Sequence, residues 1–271
     1  MDRNAIEKWL NKYNIESYTI NEDLSVDVEG DVGLVYVSLV EIPVRFRRVS
    51  GDFNCNNNEL TSLVGCPIEI GGSFNCSGNR LISLEFCPIK VNGNFNCYSN
   101  ELKSLEFCPI SVGNFNCDGN NLVNLSGCPT YIGGEFGCCN NKLTSLEGCP
   151  VEIGSDFNCS NNKLVDLVGC PEKVIASFFC SSNEITLLDG CPVEVSGVFY
   201  CNKNNLVSLE GLPIIGGNFN CKDNDLSDGE IFLYDYTAEQ VRNYYENKSL
   251  NEKLKDVLSE EGGIEIKKKK L

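Results

Sequence analysis

Residues 51–67 read GDFNCNNNELTSLVGCP, and residues 72–88 read GSFNCSGNRLISLEFCP. The same motif recurs every 20 or 21 residues as far as position 226, in the form F-x-C-x-x-N-x-L-x-x-L-x-x-C-P. A period in the twenties is typical of a solenoid, in which each repeat forms one rung that stacks on its neighbours. The sequence therefore predicts a stack of about nine rungs over residues 51–226.

The Phe-x-Cys pair predicts a short strand whose two apolar side chains point inward, because alternate residues of a strand face the same side. Three residues after each of these cysteines stands an asparagine. A buried amide at that position can bond the backbone of its own rung and of the next rung, so we interpret the column as a structural ladder. Its members are Asn58, Asn79, Asn100, Asn120, Asn141, Asn162, Asn183, Asn204 and Asn224.

Sixteen of the 17 cysteines fall in two columns that follow the repeat. Leu212 occupies one slot of the second column, so the slot needs an apolar side chain of sufficient volume and not a sulfur atom. Stacked neighbours would have poor disulfide geometry, and we expect free thiols. Cys139 stands outside both columns, and the sequence offers no basic neighbour that would activate it, so an incidental surface cysteine is predicted.

The repeat resembles the short bacterial leucine-rich repeat, whose consensus L-x-x-L-x-L-x-x-N-x-L is matched by Phe74, Cys76, Asn79 and Leu81, with Ile70 one residue before its first position. The repeat sequence is also similar to the repeats of proteins encoded by bacteriophages. The resemblance implies a repeat solenoid with a parallel β-sheet on its concave face, an extended or turn-rich convex face, and protein binding as the usual role. Proline after the second cysteine of each rung agrees with a convex segment that contains no helix.

Both flanks are predicted to cap the stack, since a solenoid exposes its core at each end. Residues 1–50 combine an amphipathic helix with a degenerate capping repeat, and residues 227–271 form a helical cap with a basic tail. Capping-box patterns at Thr237 and Ser249 predict two C-terminal helices, the second of which ends at Gly262-Gly263.

Composition excludes several classes of function. The formal net charge of −16 disfavours nucleic acid as a partner, and no apolar run has the length of a signal peptide or a membrane span. The sequence contains no histidine, which removes imidazole catalysis and most zinc ligand sets. We expect a cytoplasmic protein, in the bacterial host cell if a phage encodes it, that has no cofactor, no metal site and no enzymatic activity.

The outward columns of the predicted concave sheet supply the candidate binding site. The middle column is mostly asparagine, but it changes to Phe179 and Tyr200 in two successive rungs, with Val198 beside them. Exposed aromatic side chains are common at the centres of interfaces. An alternative is that residues 229–236, GEIFLYDY, fold back over the pair. The remaining candidates on this face are polar or acidic and favour a partner with a basic surface: Asn158, Asp156, Glu135 and Asp118.

The leading hypothesis is a non-enzymatic protein that binds another protein, and a phage origin would make that partner a host protein. A self-associating structural or accessory protein is the alternative. A small-molecule binder, for instance of nucleotides, fits an acidic surface less well.

Overall fold

The computed structural model describes residues 1–228 and 230–268, with the side chains of residues 234, 235 and 257–268 left aside. Helix α1, Arg3–Lys12, opens the chain, and the Asp2 carboxylate caps it by accepting a bond from the Ala5 amide at 2.8 Å. The apolar side of α1 buries Ile6 and Leu10, and the Trp9 ring packs 6.2 Å from that of Phe46. Helix α1 thus covers the first turns of the stack.

Twenty-one short strands follow, and ten of them form one parallel sheet, which we call the long sheet. Equivalent residues pair in register, so that Phe53 lies beside Phe74 and Phe74 beside Phe95. Its strands are β3 (Val32–Gly33), β5 (Phe53–Asn54), β7 (Phe74–Asn75), β9 (Phe95–Asn96), β11 (Phe115–Asn116), β13 (Phe136–Gly137), β15 (Phe157–Asn158), β17 (Phe178–Phe179), β19 (Phe199–Tyr200) and β21 (Phe219–Asn220).

A second series of strands forms the opposite side of the stack, where the sequence predicted an extended or turn-rich segment. This second side contains three consecutive sheets whose strands are parallel except for the first pair, which is antiparallel. The strands are β1 (Tyr18–Ile20), β2 (Val26–Val28), β4 (Phe46–Val49), β6 (Glu69–Ile70) and β8 (Lys90–Val91); then β10 (Ser111–Val112), β12 (Tyr131–Ile132) and β14 (Glu152–Ile153); then β16 (Lys173–Val174), β18 (Glu194–Val195) and β20 (Ile214–Ile215).

The core between the two sides is built from columns of identical side chains. From Phe74 to Phe199 the rings are at most 1% exposed and stack with centroid separations of 5.3 to 5.7 Å. The first-column cysteines and both leucines of each rung fill the remaining space. The predicted parallel solenoid is confirmed.

All 17 cysteines are free thiols. Burial raises the pKa of the core thiols, for example Cys97 and Cys149, well above its ordinary value. These cysteines remain protonated at neutral pH and pack as small apolar side chains.

The C-terminal segment begins with a 3-10 helix, Ile231–Asp235, and continues as helix α2, Ala238–Lys268. Thr237 and Gln240 form the expected reciprocal cap at the start of α2. The prediction of two helices is wrong, because Ser249 lies inside α2, and Gly262-Gly263 does not end the helix. Neither glycine nor proline interrupts residues 238–261, and glycine permits a helix end without imposing one. Of the predicted basic tail, residues 269–271 lie outside the described residues.

Helix α2 contacts the last rungs on the second side. Arg242 donates to the Pro213 carbonyl at 2.8 Å, and the Tyr245 hydroxyl accepts a bond from the Leu209 amide at 3.0 Å. Leu233 of the 3-10 helix and Val241 of α2 are fully buried. The described part of the chain contains no helix with the length and apolar character that crossing a membrane requires.

Candidate functional site

The predicted binding face is the outer face of the long sheet, and its geometry is set from inside by the asparagine column. The Asn79 amide nitrogen donates to the carbonyls of Cys76 in its own rung, at 3.0 Å, and of Cys55 in the previous rung, at 3.1 Å. Its side-chain oxygen accepts a bond from the Leu60 amide at 3.0 Å. The same three bonds recur at most other members of the column, so each asparagine ties two rungs together.

Most outward asparagines of the long sheet also bond backbone. The Asn75 side-chain oxygen accepts a bond from the Ser77 amide at 3.0 Å, and Asn158 does the same for Ser160 at 3.0 Å. These are Asx turns, which hold the chain as it leaves the strand. The repetition of asparagine along this column therefore has a structural cause.

A further polar ladder, which the sequence analysis missed, runs along the residue just before each phenylalanine. The Asp52 carboxylate accepts a bond from the Ser73 amide at 2.7 Å, and the Asp156 carboxylate accepts one from the Ser177 amide at 2.7 Å. Asn94 and Asn114 bond the next rung in the same way. The signal was present in the sequence, because this column consists largely of short side chains that carry an oxygen acceptor.

The pattern breaks at Gly137, where the middle column has no side chain. The Cys139 amide, which an Asx turn would otherwise bond, donates instead to the Asp118 carboxylate of the previous rung at 2.7 Å. A Cβ atom at Gly137 would lie only 2.8 Å from that carboxylate. Gly137 therefore provides the space in which the Asp118 side chain lies.

A depression of about 210 Å³ opens around Gly137, and we call it the acidic hollow. It brings together five of the seven predicted binding residues, namely Phe179, Asn158, Asp156, Glu135 and Asp118. Asn114, Asn116 and the inward rings of Phe115 and Phe136 complete its lining. The other two predicted residues, Tyr200 and Val198, lie one rung beyond Phe179.

Burial raises the pKa of Asp118 above that of an ordinary aspartate, although the bond from Cys139 opposes the shift. Burial also raises the pKa of the Cys139 thiol to about 12, and the neighbouring Asp118 charge adds to the effect. This cysteine is a weak nucleophile at neutral pH, because the thiolate is the reactive form.

Phe179 and Tyr200 are half-buried and pack edge to face, with ring centroids 5.6 Å apart. Neither side chain can replace the amide oxygen that forms the Asx turn in other rungs. The described ring contacts of the segment 229–236 run instead to α2, where Phe232 packs against Tyr244 at 5.5 Å. Among the described side chains, no hydrogen bond or ring contact joins this segment to Phe179 or Tyr200.

The side chains of residues 1–228, 230–233 and 236–256 contain no group of three or more metal-ligating residues. The acidic hollow is a concave acidic surface with one aromatic wall, Phe179.

Comparison with protein-family models finds no match, and comparison with curated proteins finds none either. Among solved structures, YopM from Yersinia enterocolitica WA-314 is similar to this chain, with a TM-score of 0.42 and 13% sequence identity. The similarity covers 73% of this chain and 61% of that structure.

Proposed function

We propose that the outer face of the long sheet binds another protein, whose basic side chain enters the acidic hollow while apolar groups contact Phe179 and Tyr200. One observation carries the proposal. The middle column, which elsewhere serves the backbone, loses its asparagine at Gly137, Phe179 and Tyr200. Gly137 and Phe179 line a single depression, and Tyr200 lies beside Phe179 in the next rung.

The chemistry of the hollow favours a cation. Asp156 and Asp118 each use an oxygen for a backbone bond, and a carboxylate has further acceptor capacity for a lysine or arginine. Phe179 forms one wall, and an aromatic ring attracts a nearby cation. Phosphate groups would be repelled here, which argues against a nucleotide ligand.

The proposal is of a binding protein and not of an enzyme. It rests on the absence of histidine from the sequence and on the structural use of the carboxylates that line the hollow. The resemblance of the repeat wording to bacteriophage proteins supports a viral protein that acts on a host protein in the cytoplasm.

The test is selection of peptides by the full chain from a displayed random library. We expect enrichment of peptides with a lysine or arginine next to apolar residues. The double variant Phe179→Asn, Tyr200→Asn restores the repeat and should keep the fold while it weakens binding by roughly ten- to hundredfold. Asn56→Ser, on the same face but three rungs from Asp118, is the matched control and should bind as the wild type does.

Enrichment of acidic peptides, or equal binding by the wild type and the double variant, would contradict the proposal. Circular dichroism of each variant separates a lost contact from a lost fold.

A further inference from the structure

A strained turn on the second side of the stack is the first sign of another interface. The residue before the second-column cysteine adopts a positive φ in every rung, and in six rungs it is glycine. In two adjacent rungs it is phenylalanine, Phe86 at φ 67° and Phe107 at φ 73°. A bulky residue is disfavoured in this region, and such strain concentrates at functional sites. The rings are 55% and 59% exposed, so burial within the chain does not explain them.

These rings belong to a larger apolar surface, the second-sheet face. We define this face as the outward side chains of strands β4 to β18, the residue on either side of each strand, and the preceding turn. Large aliphatic side chains stand exposed beside the turn in most rungs. They are Ile68 (51%), Ile89 (70%), Ile110 (78%), Val151 (79%) and Val193 (69%). Thr130 and Glu172 interrupt this column, and an exposed apolar surface of this extent marks an interaction site.

The outward residues of the strands themselves form a charged column with an ordered pattern. In rung order they are Arg48, Glu69, Lys90, Ser111, Tyr131, Glu152, Lys173 and Glu194. Their signs run plus, minus, plus, neutral, neutral, minus, plus, minus. When the column is reversed, every sign changes to its opposite. The column is therefore complementary to a reversed copy of itself.

We propose that the second-sheet face pairs with the same face of a second copy of this chain, in a two-fold symmetric dimer. The axis runs parallel to the strands and passes between the rungs of Ser111 and Tyr131. A rotation about that axis reverses the order of the rungs and keeps each column opposite itself. The pairs that result are Arg48 with Glu194, Glu69 with Lys173, Lys90 with Glu152, and Ser111 with Tyr131.

Neighbouring registers are excluded by charge. Moving the axis onto the rung of Ser111 sets Arg48 against Lys173 and Glu69 against Glu152. Moving it onto the rung of Tyr131 sets Lys90 against Lys173. A dimer whose two-fold axis runs along the stack keeps the rung order and places every residue of the charged column opposite its own copy, so that like charges meet. Since like charges in contact oppose association, the pattern disfavours the registers on either side of the proposed one, and the proposed register is the one that sets all six charges against opposite charges.

Shape agrees with the same register. The axis brings the Phe107 ring of one copy opposite Gly127 of the other, and the Phe86 ring opposite Gly148. Ile175, which is 56% exposed, falls opposite Gly71. Phe86 and Ile175 also border grooves of about 560 Å³ and 620 Å³ in the two halves of the face.

The face is large enough for a stable contact. Eight rungs about 4.8 Å apart and about six extended residues per rung give a surface of roughly 700 Å². A standard interface takes about 800 Å² from each partner.

One like-charged pair remains in the proposed register. Glu85 falls opposite Glu147 at the exposed turn, where solvent and salt screen the repulsion.

The deciding experiment uses two charge reversals on the full chain, with mass measured by sedimentation equilibrium. We expect the wild type to be a dimer, and Lys90→Glu and Glu152→Lys each to raise the dimer dissociation constant roughly ten- to hundredfold, because each homodimer then holds two like-charged pairs. An equimolar mixture of the two variants should recover the wild-type dissociation constant, since both pairs formed by positions 90 and 152 in the mixed dimer then join opposite charges. Lys142→Glu, outside this face, should change nothing.

A monomeric wild type overturns the proposal. So does a dimer that both reversals leave intact, and a mixture that fails to recover. Phe107→Gly provides a second test, because glycine is the usual residue of the turn. It should weaken the dimer roughly tenfold while it leaves the monomer at least as resistant to heat.

Discussion

The side chains on the two outer faces of the stack have different relations to the backbone. On the long sheet, repeated side chains bond their own backbone, as Asn75 does with Ser77 and Asp52 with Ser73. On the second-sheet face, Phe86 and Phe107 strain the backbone where other rungs have glycine, and their rings project into solvent. A residue that recurs in every rung therefore indicates the fold, and a residue that departs from the repeat indicates a contact beyond the chain.

The sharpest test of this contrast compares an inward phenylalanine with an outward one. Phe157 is fully buried between rings 5.3 Å away on both sides. We expect Phe157→Ala to lower the free energy of unfolding by about 3–5 kcal/mol, because it leaves a cavity inside the ring column. Phe179→Ala, on the outer face, should cost only about 1 kcal/mol. Urea denaturation of both variants measures the difference, and equal losses would show that the outer ring is part of the core.

The two asparagine columns give a comparison of intermediate size. Asn162 bonds the carbonyls of Cys138 and Cys159 and accepts the Leu143 amide. We expect Asn162→Ala to cost about 2–4 kcal/mol, since it leaves buried polar groups without partners. Asn158→Ala removes one bond at a half-exposed turn and should cost about 0.5–1 kcal/mol. If thermal denaturation ranks them in the opposite order, the outer column supports the stack more than the inner one.

The smallest expected effect concerns the acidic hollow. The pKa of Cys139 is raised to about 12 by burial and by the Asp118 charge, so its alkylation at pH 8 should be slow. Asp118→Asn keeps an acceptor for the Cys139 amide and removes the charge. The thiol pKa should then fall, and alkylation at pH 8 should become several-fold faster. Peptide mass mapping after iodoacetamide treatment measures the rate at this cysteine. An unchanged rate would mean that burial alone suppresses the thiol.

The acid range provides a companion measurement. Because burial raises the Asp118 pKa in the folded chain above its ordinary value, protonation favours the folded state, and the contribution of this group to stability falls as pH rises through that pKa. Asp118→Asn should therefore gain stability relative to the wild type on going from acid to neutral pH. A constant difference across that range would contradict the assigned cause.

Much of the fold could be predicted from the sequence because each inward slot imposes a narrow chemical requirement. Phenylalanine, cysteine and the ladder asparagine recur so regularly that their spacing predicts the rung. The strands of the second side were missed because most of them, from β6 onward, contain only two residues, too few for an alternating pattern to be visible. The second C-terminal helix was predicted wrongly because Ser249 matches a cap locally, while the surrounding residues continue the helix.

The candidate site could be predicted only in part. Phe179 and Tyr200 stand out because they replace asparagine, but the hollow beside them depends on a missing side chain at Gly137, which has no chemical signature of its own. The two strained turns did have a signal, since Phe86 and Phe107 stand where the aligned rungs have glycine. Recognising it requires knowing that the slot has positive φ, which only the backbone geometry shows.

The in-register asparagine ladder has a consequence for how such a chain can change over generations. Each asparagine bonds only its own rung and the adjacent ones, so recombination between repeats can insert or delete a whole rung and leave every bond of the ladder in place. The charged column of the second-sheet face has no such tolerance. One additional rung away from its centre, for instance between the rungs of Glu69 and Lys90, would move the symmetry axis and change which charges meet. Chains of unequal repeat number would then fold alike and yet fail to recognise one another.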